Sequence, residues 1–194
     1  MRAVKRHLVA FWTVVKWLTD RTRPPPPPVK QWIVRKYGRR HGLNILVETG
    51  TYQGEMIAAT KRSFTRIISV ELDAALNRQA RRRFLSDPHV ELHQGDSATV
   101  LRDISSEVLE PCLFWLDAHY SEGATARSDL DTPIMAELAA VVGRNEPGDI
   151  ILIDDARLFT GRGDYPTLKS VEHLLEGTHL HRFEVKDDIV RISG

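Results

Sequence analysis

The chain has 194 residues, 42% apolar and 27% charged, the balance of a soluble globular protein able to bury one good core. Its 27 basic and 26 acidic residues leave a formal charge of +1, which removes the electrostatic case for a nucleic-acid partner. The single cysteine, Cys112, excludes an internal disulfide and a thiolate zinc cluster and fits a reducing cytoplasm; within Cys112-Leu-Phe-Trp-Leu116 it reads as a small buried hydrophobe.

Residues 3–19 carry Val4, Leu8, Phe11, Trp12, Val15 and Leu18 at helical spacing, with Arg2, Lys5, Arg6 and Lys16 among them. Lys16 interrupts the best apolar run well short of the about 20 residues that a spanning helix needs. No small-residue cleavage site follows that run. Two readings stand: a basic, tryptophan-bearing helix at a membrane surface, or a helix packed on its own domain or on a second subunit. Pro24 to Pro28 predicts a stiff extended spacer, which a partner's aromatic groove could also take. The expected organisation is therefore an amphipathic basic helix (1–23), a polyproline linker (24–28) and a folded domain (29–194). Residues 1–28 are the expected contact to a membrane or a protein. Lys30 to Tyr37 predicts a helix stopped by Gly38, followed by the solvated basic run Arg39, Arg40 and His41.

From residue 44 the pattern alternates. Strands are predicted at 44–48, 66–71, 89–93, 112–117 and 149–153, and helices at 54–62, 73–85, 97–103, 133–142 and 167–176. Asp131-Thr-Pro133 supplies a cap followed by a proline at a helix start. Residues 179–185, a Lys186-Asp-Asp188 turn and residues 189–193 read as a hairpin. Strands separated by helices imply right-handed crossovers and a mainly parallel sheet covered on both faces, here finished by an antiparallel hairpin. The expected fold is α/β, Rossmann-like and doubly wound, with seven strands and an N-terminal helical extension.

The first strand runs into Glu48-Thr-Gly-Thr-Tyr-Gln-Gly54, an acidic-x-Gly-x-x-x-Gly spacing. A dinucleotide fingerprint needs three glycines around a pyrophosphate, so a nicotinamide-dependent oxidoreductase is the weaker enzyme reading. One close backbone approach beside a carboxylate suits a nucleoside without phosphates. Ligands of open parallel sheets bind beyond the carboxyl ends of the strands. Those ends are repeatedly acidic here: Glu48, Glu71, Asp96, Asp117 and the pair Asp154-Asp155. Single acids often cap helices or begin turns. Gathered at one rim they repel, and a cationic ligand or a metal would relieve them.

Over residues 44–194 the chain resembles the class I S-adenosylmethionine-dependent methyltransferases, especially the metal-dependent catechol-type and macrocin-type sugar O-methyltransferases. The likeness is carried by Glu48-Thr-Gly-Thr-Tyr-Gln-Gly54, Val70-Glu-Leu-Asp73, Gln94-Gly-Asp-Ser97, Trp115-Leu-Asp-Ala-His119 and Ile153-Asp-Asp155. It implies an S-adenosylmethionine site in which Gly50 admits the methionine moiety and amides over Thr51, Tyr52 and Gly54 face its carboxylate. Glu48 would serve the amino group and Glu71 the ribose hydroxyls, while Asp96 and Ser97 lie where the family meets adenine, Ser97 being equally a helix cap. The resemblance further implies a divalent metal, magnesium by its oxygen donors, on Asp117, Asp154 and Asp155. The acceptor would be a hydroxylated small molecule or a glycan, with Asp117 or His119 taking its proton. Where catechol enzymes carry a lysine, this chain has Tyr120, which argues against a close catechol enzyme. Arg127 and Arg157 are candidate anchors for an anionic acceptor. The competing reading is a catalytically silent cofactor-binding module recruited by its N-terminal helix.

Overall fold

The computed structural model describes residues 2–117 and 132–194, with side chains described from residue 11 onward. Two helices lead in: α1 (Arg2–Thr19) and α2 (Pro27–His41). The sheet and its crossovers follow as β1 (Ile45–Thr49), α3 (Glu55–Thr60), β2 (Arg66–Glu71), α4 (Ala74–Arg83), β3 (Val90–Gln94), α5 (Ser97–Glu107) and β4 (Cys112–Leu116). Then come α6 (Ile134–Val142), β5 (Ile150–Ile153), α7 (Leu168–Leu175), β6 (Arg182–Lys186) and β7 (Ile189–Ser193). Seven strands form one sheet in the order β3-β2-β1-β4-β5-β7-β6, parallel except where β7 runs against both β5 and β6. This is the α/β arrangement expected from the alternation.

The two-residue period of the strands builds two cores. Ile45, Val47, Ile68, Val70, Phe114, Leu116, Ile151 and Ile153 point to one face, where Leu101 and Ile104 of α5, Leu138 of α6 and Val171 of α7 cover them. The intervening Leu46, Ile67, Leu113, Trp115, Ile150 and Leu152 meet Trp17 of α1, Ile33 and Val34 of α2, Ile57 of α3 and Ala80 of α4. A strand buried on both faces needs an unbroken apolar run, which is why β4 and β5 contain no charged residue. Cys112 is fully buried among them, and burial pushes its thiol up to about 12, so it acts as a packing group.

Local chemistry sets the helix ends. Asp73 caps α4 by accepting from the amides of Ala75 and Leu76, Asp96 caps α5 through Thr99, and Thr167 caps α7 through Ser170. Both ends of α2 differ from the sequence expectation. α2 begins inside the proline run, because Pro27 and Pro28 occupy its first turn, where no backbone donor is required. It also continues through Gly38 to a left-handed cap at Gly42. Gly38 is there for close packing: a Cβ would lie 2.7 Å from the Phe64 ring. The closing hairpin turns at Asp187 and Asp188, both at positive φ (53° and 57°), the geometry of a tight two-residue turn. Asp187 accepts from Arg21 (3.1 Å) and Arg191 (2.9 Å), while Asp188 accepts from the Arg157 amide (2.8 Å).

Candidate functional site

Strand order reverses between β1 and β4, and in such sheets a crevice opens at the carboxyl ends of those two strands. Gly50 and Asp117 meet there. Gly50 has φ 78°, and a Cβ on it would sit 3.3 Å from the Asp117 Cβ, so any other residue strains the turn. The Asp117 amide donates to Thr49 Oγ1 at 3.3 Å, which ties the two strand ends together. Gly54, at φ 73°, leads into α3 against Phe84, whose ring would lie 2.5 Å from any Cβ.

The acids of β1 and β2 organise this loop. Ser69 donates to Glu48 Oε2 at 2.7 Å and is itself bonded to Thr51 Oγ1 at 2.6 Å, so a hydroxyl chain leads from the loop to the buried carboxyl. Burial pushes Glu48 up to about 8; the Ser69 hydrogen bond opposes this, and Asp117 and Glu71 add to it. Glu71 accepts from the Tyr52 amide at 2.7 Å and the Asp73 amide at 2.9 Å, one on each oxygen. That first bond holds Tyr52 at φ 47°, a conformation disfavoured for a bulky side chain. Each oxygen of Glu71 keeps a second acceptor position.

Past β3 the predicted residues divide. Asp96 is exposed and is the cap of α5, while the Ser97 hydroxyl donates not to the helix but to Glu137 of α6. Glu137 also accepts from Thr49 Oγ1 at 3.3 Å and is 1% exposed. Burial drives it to about 7, against the Ser97 and Thr49 hydrogen bonds and with help from Asp117 and Asp96. Sequence reading missed Glu137. Its signal was a lone charge in the otherwise apolar Ile134-Met-Ala-Glu-Leu-Ala-Ala-Val-Val142.

Asp117, Asp154 and Asp155 each offer an oxygen within 4.8 Å of the others. The Asp154 amide donates to the Leu116 carbonyl at 2.9 Å, continuing the β4–β5 pairing, and Asp155 follows at φ 55°, a left-handed position that aspartate tolerates. These carboxylates have protein cations. Lys30 of α2 lies 2.5 Å from Asp154 and 3.2 Å from Asp155. Arg157 lies 2.8 Å from Asp155 and also pairs with Asp188. Burial raises Asp154, with Lys30 pulling the other way; burial also lifts Asp155, but Lys30 and Arg157 outweigh it and hold that carboxyl below its ordinary value. Burial works against the charge on Lys30, and the two carboxylates more than restore it. The guanidinium of Arg157, expected to face an acceptor, is thus committed to two aspartates. His119, Tyr120 and Arg127 lie outside the described residues.

The predicted acids of β1, β2, β4 and β5 therefore share one edge of a parallel sheet. The same fold is found in solved methyltransferases. An O-methyltransferase from Bacillus cereus, solved with S-adenosylhomocysteine, matches with a TM-score of 0.63 at 15% identity over 94% of this chain and 90% of its own. The O-methyltransferase TomG from Streptomyces achromogenes, in complex with S-adenosylmethionine, gives 0.60 at 15% identity, covering 85% and 80%. The methyltransferase PaMTH1 of Podospora anserina, bound to S-adenosylhomocysteine, gives 0.60 at 15%, covering 93% and 87%. No protein-family model matches the sequence, and comparison with curated proteins gives no match.

Proposed function

We propose that the chain is an S-adenosylmethionine-dependent O-methyltransferase acting on a hydroxylated small molecule or glycan. The observation that carries this reading is the buried carboxyl of Glu48, raised to about 8 beside the Gly50 turn at the strand-order reversal, a position that a cationic ligand would stabilise. Glu48, backed by Ser69, accepts from the cofactor's ammonium. Glu71 offers its remaining acceptor positions to the ribose hydroxyls, and Asp96 with Ser97 borders the adenine. Bound there, the cofactor supplies a sulfonium methyl that moves to the acceptor oxygen while the C–S electron pair returns to sulfur. Asp117 accepts the acceptor's proton and passes it to solvent. Because the sulfonium charge disappears in this step, the rim acts mainly by aligning the two reactants.

Magnesium on Asp117, Asp154 and Asp155 is the finer expectation. The three oxygens are close enough and of the right kind. Asp154 and Asp155, however, already hold Lys30, and Asp155 also holds Arg157, so a divalent ion would enter only by displacing the lysine. As folded, the set does not fit a resident ion.

A peripheral contact through residues 1–28 is supported by the exposure of Phe11, Trp12 and Leu18 on α1 beside Lys16 and Arg21. None of the described helices is long and apolar enough to cross a membrane. Co-sedimentation with anionic vesicles, lost in a Phe11→Ser/Trp12→Ser variant, would support that contact.

Calorimetric titration with S-adenosylmethionine and, separately, NAD tests the cofactor. Binding of NAD in its place would overturn the reading. A screen of phenols, diols and sugars for S-adenosylhomocysteine release then separates an enzyme from a silent binding module.

A further inference from the structure

The pair Asp154–Asp155 receives its cation from a residue 124 positions earlier in the chain. Lys30 stands in the first turn of α2, which contains no acidic residue, at the end of a helix where the backbone dipole opposes a positive charge. Its location is therefore set by something other than the helix. One turn on, on the same helix face, Ile33 and Val34 are buried in the second core. That packing aims Lys30 over the sheet edge, where its side chain is only 18% exposed. Among the described residues its donors go to Asp154 and Asp155 alone. An ammonium has three donors, so one remains for an acceptor oxygen.

We propose that Lys30 is the resident cation of this site, seated between Asp154 and Asp155 in place of a divalent ion, and that it orients the acceptor oxygen without a metal. The inference rests on the O-methyltransferase reading only for what the cation serves. The transfer itself is unchanged: methyl to oxygen, electron pair to sulfur, acceptor proton to Asp117. What Lys30 contributes is a fixed positive charge that needs no dehydration or recruitment from solution.

The test is binding of Mn2+, followed by the electron paramagnetic resonance of the free ion, on the full chain after chelator treatment. Wild type is expected to bind no Mn2+ in an Asp154-dependent manner. Lys30→Met and Lys30→Gln uncover the two carboxylates and gain affinity on the order of tenfold or more. The gain vanishes when Asp154→Asn is added. Wild type that binds one Mn2+ as tightly as the variants, with the binding lost in Asp154→Asn alone, overturns the proposal. So does failure of both folded variants, checked by circular dichroism, to gain Mn2+. Titration of S-adenosylmethionine on the same samples keeps the two readings apart. Cofactor binding with wild-type Mn2+ binding removes Lys30 as resident cation and leaves the methyltransferase. Absence of cofactor binding removes the methyltransferase, while the Mn2+ comparison still decides whether Lys30 holds the cation position.

Discussion

Binding of S-adenosylmethionine should expel a proton from the protein, and Glu48 is the source. Its carboxyl sits at about 8 in the free chain because it is fully buried next to Asp117 and Glu71. At pH 7 about 0.9 of such groups carry the proton. A bound ammonium about 4 Å away, at an effective dielectric constant of about 20, favours the ionised form by roughly 4 kcal/mol, or about 3 pKa units. The carboxyl would then titrate near pH 5, and about 0.9 protons should leave per cofactor bound at pH 7. The sign follows: the cofactor selects the deprotonated form, so affinity rises with pH between those two values, by about a factor of ten from pH 6 to pH 7. Calorimetry at pH 7 in phosphate and in imidazole reads the released proton from the difference in apparent enthalpy. Glu48→Gln should remove both the buffer dependence and the pH slope. Equal enthalpies in the two buffers, with affinity flat from pH 6 to pH 7, would refute the assignment of Glu48 to the ammonium.

The same burial shapes stability without ligand. Glu48 and Glu137 are raised from 4.5 to about 8 and about 7, so their contribution is complete below the unfolded value, declines as pH rises above it and is gone once pH has passed 8 and 7 respectively. The melting temperature should fall from pH 6 to pH 9, Glu48 alone accounting for about 3 kcal/mol over that range, and Glu48→Gln should flatten the fall. Gly50→Ala combines a positive φ with a Cβ 3.3 Å from Asp117. It should cost about 1–3 kcal/mol in urea unfolding and weaken cofactor binding by at least about tenfold. Arg144 is the buried partner of Asp149 at 2.8 Å, away from the site. Arg144→Met should destabilise by about 3–5 kcal/mol while leaving cofactor affinity per folded molecule unchanged.

The sheet was legible because its strands are apolar runs punctuated by acids and glycines, a pattern that needs no tertiary information. Gly50 and Glu48 were legible for the same reason: a turn this tight leaves a mark in sequence. Gly38 shows the limit. Read locally it stops a helix, but the Phe64 ring, 26 positions later, makes it a packing residue within one (2.7 Å to a would-be Cβ). Ser97 was placed correctly at a helix start, yet its hydroxyl answers to Glu137, whose role depends on α6 crossing near β1. Lys30 was the least readable. One lysine after a proline run carries no mark of a pair of carboxylates 124 positions later, and Arg157, expected to anchor an acceptor, is held by two aspartates.

The Asp187-Asp188 turn ties distant parts of the chain to the rim. Arg157 is held by the second aspartate and Arg21 by the first, so one dipeptide clasps the loop after β5 and the segment after α1. In the finished sheet β7 lies between β5 and β6, which sets the turn beside Arg157. A nascent chain that has made every rim acid, but not yet residues 182–193, lacks the partner that steers Arg157 toward Asp155. The rim's charge balance thus depends on a hairpin that carries none of its ligands.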